Sequence, residues 1–323
     1  MTESLEYILA PMAGYTDLPF RYACRKYGLR YAYTALIDAG ALVHGNSENA
    51  NILARGAEEP YLAVQLLGSI PADLQQAVAL LDKMDFDAID FNMGCPVRKV
   101  IRRGAGAALL QDLDHALKCL RILRQGTRKP LSVKTRIISE VDPEPTVQFC
   151  LALQSCGIDQ LTLHGRLAEK VYSGPVAGNI IQAVRTALSI PVCANGGIFS
   201  RQDAVALAQA TGCTRLMVAR GAIGNPWLFR SLCQGQDAAP PTHAEVCAQL
   251  YEHVEQLRAF YGLERSMILA RKTILSYLVG RGYRRSLRAQ ATNISSWEEF
   301  LRFFRCVVSE GPLSPAKNIS LET

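Results

Sequence analysis

The run Asp90-Phe91-Asn92-Met93-Gly94-Cys95-Pro96-Val97-Arg98-Lys99 holds one thiol between a glycine and a proline, with two cations close behind. The apolar residues before it read as a buried strand. Gly94 permits a tight turn and Pro96 cannot donate to a β-ladder, so Cys95 is expected on a loop just beyond that strand. An unperturbed thiol has a pKa of about 8.5 and is mostly protonated at neutral pH, which suits a proton donor. Nearby cations favour the thiolate instead, so the residues alone leave both states open.

Other groups with chemical potential recur where short apolar runs end. Gln65 and Asn92 are amides that can both donate and accept at the edge of a heterocycle. Lys134 closes "LSVK" and is expected to point inward if Val133 packs outward; a lysine there could balance a reduced flavin's negative charge. Arg136, His164 and Arg166 follow on the next ends. "ANGGI" and "ARGAIGNPW" put Asn195, Gly196, Gly197, Arg220 and Gly221 after two consecutive runs. Glycines there let backbone N–H groups approach a phosphate, and Arg220 could add a bidentate charge.

The elements that must position these groups are regular. Apolar or β-branched runs occur at 7–12, 31–34, 61–68, 88–94, 131–136, 161–165, 191–197 and 215–221. Amphipathic stretches such as 72–81, 113–124, 146–156, 179–188 and 201–209 lie between them. Alternation of this kind implies a parallel sheet, and eight βα units in about 235 residues match a TIM (β/α)8 barrel. A doubly wound dinucleotide fold would show G-x-G-x-x-G after its first strand, where this chain has "APMAGYTD". The expected organisation is an α/β barrel over 1–235, a Gly/Pro/Ala-rich linker, and a small all-helical domain over 243–323. Thr242 with Glu245 is expected to cap that domain's first helix.

Composition narrows the class. Of 323 residues, 49% are hydrophobic and 20% charged, which suits a globular enzyme with a large core. No apolar run is long enough to span a membrane, and the first residues lack a secretory pattern, so a cytoplasmic protein is expected. The ten cysteines include no C-x-x-C pair, which argues against a zinc site and leaves no metal expected. The net charge is only +6, but Arg98, Lys99, Arg102 and Arg103 form one cluster, and Arg281, Arg284, Arg285 and Arg288 another. Such clusters suit a polyanion.

Taken together, "APMAGYTDLPFR" (10–21), "VQLLG" (64–68), "DFNMGCPVRKV" (90–100), "GAGAALL" (104–110), "VKTR" (133–136), "LTLHGR" (161–166), "YSG" (172–174), "ANGGI" (194–198) and "ARGAIGNPWLF" (219–229) resemble the tRNA-dihydrouridine synthase family. The resemblance implies FMN on the barrel mouth, NADPH as its reductant, and hydride passing from flavin N5 to C6 of a tRNA uracil. It gives Cys95 the role of the acid that protonates C5. It assigns the flavin to Pro11, Met12, Ala13, Gln65, Lys134, His164, Asn195, Gly196, Gly197, Arg220 and Gly221. Asn92, Arg166 and Tyr172 fall near the substrate, while Arg98, Lys99, Arg284, Arg285 and Arg288 would hold RNA backbone. The target uracil must leave its stack. No partner protein is implied, and a monomer is expected. The chain departs from the family pattern at Ala35, at "IISE" (137–140) and at "PVAGN" (175–179), positions that bear on substrate recognition.

Two other readings use part of the same pattern. A flavin barrel acting on a free pyrimidine, in the manner of dihydroorotate dehydrogenase, would share the glycines and lysine but has no use for a basic helical tail. A non-catalytic RNA-binding barrel would need neither Cys95 nor Lys134.

Overall fold

The computed structural model describes residues 5–47 and 49–313; residues 1–4 and 314–323, the ends of the two expected domains, lie outside the described residues. The strands are β1 (Glu6–Leu9), β2 (Tyr31–Tyr33), β3 (Ile37–Asp38), β4 (Tyr61–Leu67), β5 (Ala88–Met93), β6 (Leu131–Arg136), β7 (Gln160–His164), β8 (Val192–Asn195) and β9 (Arg215–Val218). All pairings are parallel, in the order β2-β1-β9-β8-β7-β6-β5-β4-β3. A further parallel pairing of β2 with β4 closes eight of these strands into a barrel. Strand β3 is a two-residue extension alongside β4 that the sequence does not foreshadow, because two residues carry no periodicity.

Each expected run is a strand, and the expected helices follow. Pro71–Asp82 begins with proline at its first turn, where the missing N–H costs nothing. Asp112 caps Leu113–Gly126 by accepting from the His115 amide. Strand side chains alternate between faces. One set from each strand therefore fills the barrel, including Ile8, Ala10, Tyr33, Ala63, Cys193 and Met217. The other set, including Leu66, Phe91, Val133 and Leu161, is fully buried on the opposite face.

Two compact units divide the chain. The first runs to Asp17 and continues through Arg30–Ile198 and Gln202–Ala219, holding all nine strands. The second takes Leu18–Leu29, Phe199–Arg201 and the chain from Arg220 onward. Its helices His243–Tyr261, Leu263–Leu278, Arg285–Gln290 and Trp297–Glu310 share a core of Val246, Leu250, Val254, Met267, Ile274, Phe300 and Phe303. Thr242 and Glu245 form the expected capping box, and Ser296 with Glu299 repeats it.

The C-terminal arginine cluster needs one correction. Arg281 is buried, not a solvated cation: its guanidinium donates to the Tyr277 carbonyl and Asn225 Oδ1 and lies 5.2 Å from the Trp227 ring centroid. Arg284 and Arg285 are exposed, and Arg288 is half-buried.

His253 is buried in the second unit, with Nδ1 3.1 Å from the Tyr277 hydroxyl and its ring stacked on Phe20. Burial pushes its pKa down to about 3. The unfolded chain therefore binds a proton that the folded chain refuses between about pH 6.5 and 3, so stability falls as pH drops through that window. His253→Gln should flatten this acid-side slope by up to about 1.4 kcal/mol per pH unit, read from urea unfolding at a series of pH values. An unchanged slope would mean His253 is not the group resisting protonation.

Candidate active site

Strand register brings the chemical side chains to one end of the barrel. Gln65 on β4 pairs with Asp90 on β5, and Asn92 pairs with Lys134 on β6. Arg136 pairs with His164 on β7, which in turn pairs with Asn195 on β8. Lys134 lies on the face opposite Val133, as the alternation requires.

These polar groups satisfy one another. Lys134 Nζ donates to Asn195 Oδ1 at 2.8 Å, and Asn195 Nδ2 donates to the Met217 carbonyl at 2.8 Å. Burial, reinforced by Arg136, pushes the lysine down to about 8. Gln65 Nε2 donates to Asp90 Oδ2 at 2.7 Å, and Ser132 Oγ donates to Asp90 Oδ1 at 2.6 Å. Asn92 Nδ2 donates to Gln65 Oε1 at 2.8 Å, while Asn92 Oδ1 accepts from the Gly94 and Cys95 amides at 3.1 and 3.0 Å.

Cys95 is half-buried on the turn that follows β5. Its carbonyl accepts from the Ala107 amide at 3.0 Å. Arg136 Nε grips the Gly94 carbonyl at 2.8 Å and the same guanidinium reaches the Leu167 carbonyl at 3.1 Å, tying this turn to the loop after β7. Downstream, Arg103 forms a fork with Asp38 and its carbonyl accepts from Ser69 Oγ. Arg98, Lys99, Arg102 and Arg103 are all exposed, and Arg103 is held by its Asp38 pair. Burial raises the thiols of Cys119 and Cys247 to about 11 and those of Cys150 and Cys193 to about 12. Those four are packing residues.

The remaining barrel candidates are at the same end. Thr16 Oγ1 accepts from the Met12 amide and donates to the Ala10 carbonyl, which fixes the Pro11–Met12–Ala13 turn. His164 and Arg166 are buried, and Arg166 Nε donates to the Gly174 carbonyl. Gly196 has φ +128°, and a Cβ there would lie 2.9 Å from Val176 and 3.0 Å from His164, so only glycine lets the chain pack this closely against His164. Tyr172 is half exposed and follows Val171, a β-branched residue at φ +50°. Lys170 on that loop pairs with Glu140 on the loop after β6, the last residue of the 137–140 segment that departs from the family pattern. Arg220 and Gly221 lie in a 3-10 turn of the second unit, where the Arg220 guanidinium is 5.6 Å from the Phe199 ring centroid. Arg284, Arg285 and Arg288 belong to that unit as well. Among the described residues no cluster of metal-ligating side chains occurs, and no helix is long and apolar enough to cross a membrane.

Sequence reasoning does not assign roles to Asp90, Ser132, Arg136 or Thr16 as holders of the site. Asp90 carries the clearest signal, a carboxylate in the middle of an apolar strand.

Comparison with known proteins gives a consistent picture. The family model for dihydrouridine synthase (Dus) matches residues 8–310. The chain is 35% identical over 276 residues to the tRNA-dihydrouridine synthase B of Pasteurella multocida, covering 84% of this chain and 83% of that one. It is 34% identical over 287 residues to the Pseudomonas aeruginosa protein of the same name, covering 88% and 86%. Among solved structures, histamine dehydrogenase from Rhizobium sp. 4-9 superposes with a TM-score of 0.52 at 13% identity. That alignment covers 77% of this chain and 48% of the other, a likeness of fold alone.

Gly106 supports the cysteine turn from behind. It has φ +60°, and a Cβ there would lie 2.7 Å from the Cys95 carbonyl oxygen. Gly45 has φ +72° with nothing within 4 Å, so a side chain there meets only the left-handed cost of about 1–2 kcal/mol. Gly106→Ala should therefore destabilise the protein by at least about 1 kcal/mol more than Gly45→Ala in urea unfolding. Equal costs would show that the cysteine turn moves freely.

Proposed function

Because the chain belongs to the dihydrouridine synthase family, we propose that it is an FMN-dependent, cytoplasmic enzyme that reduces a uridine of tRNA to 5,6-dihydrouridine with NADPH as reductant. The observation that carries this reading is the convergence of Cys95, Asn92 and Lys134 at one end of the barrel: Asn92 holds the Cys95 amide and sits in register with Lys134.

The residues there fit a flavin. Gly196 brings bare backbone close against His164, where a Cβ would collide with Val176 and the imidazole. The surrounding donors are an ammonium, amides and an imidazole, suited to an anionic group with a heterocyclic edge. Met12, Gln65, Lys134, His164, Asn195, Gly196 and Gly197, with the Pro11–Ala13 backbone, would hold FMN from the barrel. Arg220 and Gly221 are added from the family pattern. When bound, FMN supplies hydride to uracil C6.

The chain's own residues do the rest. Burial lowers Lys134 to about 8 without neutralising it at neutral pH, and an anion beside it would favour its charged form further. Asn92 has one amide proton on Gln65, leaving its second for the mouth. Cys95 Sγ–H donates its proton to C5 of the reduced uracil, and the exposed Arg98 and Lys99 are available to the RNA backbone. Tyr172, half exposed on the loop after β7, packs beside the extruded base in this reading. Arg284, Arg285 and Arg288, among the C-terminal helices, hold RNA backbone.

Cys95→Ala should retain flavin and tRNA binding while dihydrouridine formation falls by about 10²–10⁴-fold, the usual span for a general acid. Undiminished activity would remove Cys95 from the chemistry. Replacing Arg284, Arg285 and Arg288 together with alanine should weaken tRNA binding and shallow its log–log salt dependence by about one for each phosphate no longer neutralised. Flavin content should stay the same. A salt slope equal to wild type would take that surface out of the RNA footprint.

A further inference from the structure

Four side chains form a continuous hydrogen-bonded line from the barrel interior to the cysteine turn. Ser132 and Gln65 both donate to Asp90, Gln65 accepts from Asn92, and Asn92 accepts from the Gly94 and Cys95 amides. Gln65 and Asp90 are completely buried and Asn92 nearly so. The Tyr33 hydroxyl lies 3.5 Å from Ser132 Oγ and encloses the inner end.

The polarity of this line is forced. At the outer end two backbone N–H groups can only donate, so Asn92 must turn its oxygen to them and its nitrogen toward Gln65. Gln65 must then accept with its oxygen, which turns its own nitrogen inward. The series closes only if the residue at position 90 accepts. A carboxylate is an acceptor at both oxygens; although burial raises Asp90 to about 6, it is mostly ionised at neutral pH. An unmatched donor in this interior would cost about 1–3 kcal/mol, so the line is held as a unit.

We propose that Asp90 is a positioning residue: by accepting from Gln65 it fixes the orientation of both amides and, through Asn92, the placement of Cys95. It touches no substrate atom. One buried carboxylate thus sets three groups at once: the Gln65 amide, the Asn92 amide and the cysteine turn. The inference rests on the reading of Cys95 as the proton donor for its consequence in catalysis, but the placement itself is measurable without turnover.

The test is the rate at which iodoacetamide alkylates Cys95 in the full-length protein, read by mass spectrometry with exposed Cys233 as internal reference. Asp90→Leu removes the acceptor and should release the half-buried turn, raising the Cys95-to-Cys233 rate ratio about fivefold, the factor carried by one neutral hydrogen bond. Asp90→Asn offers a carbonyl oxygen to Gln65 and an amide to Ser132, and should keep the ratio within about twofold of wild type. Gln65→Met interrupts the line while leaving the Asp90–Ser132 hydrogen bond, and should raise the ratio as Asp90→Leu does even if the leucine variant fails to fold. An unchanged ratio in folded Gln65→Met or Asp90→Leu overturns the proposal, as does a rise in Asp90→Asn equal to that in Asp90→Leu. Because the assay contains neither tRNA nor reductant, an enzyme that forms no dihydrouridine while obeying this pattern would refute the functional reading and leave the positioning role standing. In an active enzyme, Asp90→Leu should lower kcat with little change in KM for tRNA, and Asp90→Asn should restore kcat.

Discussion

A closed parallel barrel sends every second side chain of every strand into a space shielded from water, and any polar group placed there must find its partner inside. The organisation of the candidate site follows from that constraint. Gln65, Asp90 and Ser132 take three successive strands, and Lys134 and Asn195 meet across the mouth. A single strand could not assemble such a set. The parallel register of β4, β5 and β6 is what makes the convergence possible.

Polar groups in this interior carry a cost that shows in their protonation. Desolvation moves Asp90 upward to about 6 and Lys134 downward to about 8, each toward its neutral form. The hydrogen bonds from Gln65 and Ser132 oppose the shift in Asp90. Lys134 also feels Arg136, whose guanidinium is committed to backbone carbonyls of two loops. The mouth is thus firmly tied at the cysteine turn. The loops after β6 and β7 are joined by Lys170 and Glu140 on their outer side.

The eight barrel strands are legible in the sequence because each is a compact apolar run between turn residues, and the helices because their apolar spacing repeats. Gln65, Asn92, Lys134, His164 and Asn195 are legible because strand ends in this fold face one mouth. Asp90 is harder to read, since its partner Gln65 lies 25 residues away and the pairing exists only through strand register. Arg136 belongs to a motif, but its grip on Gly94 spans 42 residues. Arg281 is misassigned by sequence for the same reason: its neighbours along the chain are exposed arginines, while its partners Asn225 and Trp227 come from far upstream. Local composition reports which residues are charged. It does not report which charges the fold has already matched.

The most direct test of the account is anaerobic. The purified protein, its flavin reduced with NADPH, is mixed with tRNA lacking dihydrouridine, and flavin absorbance and the nucleoside content of the RNA are followed together. The account predicts that the flavin reoxidises in step with the appearance of dihydrouridine. Flavin that stays reduced in the presence of tRNA but reoxidises with a free pyrimidine would contradict it and assign the barrel to small-molecule chemistry.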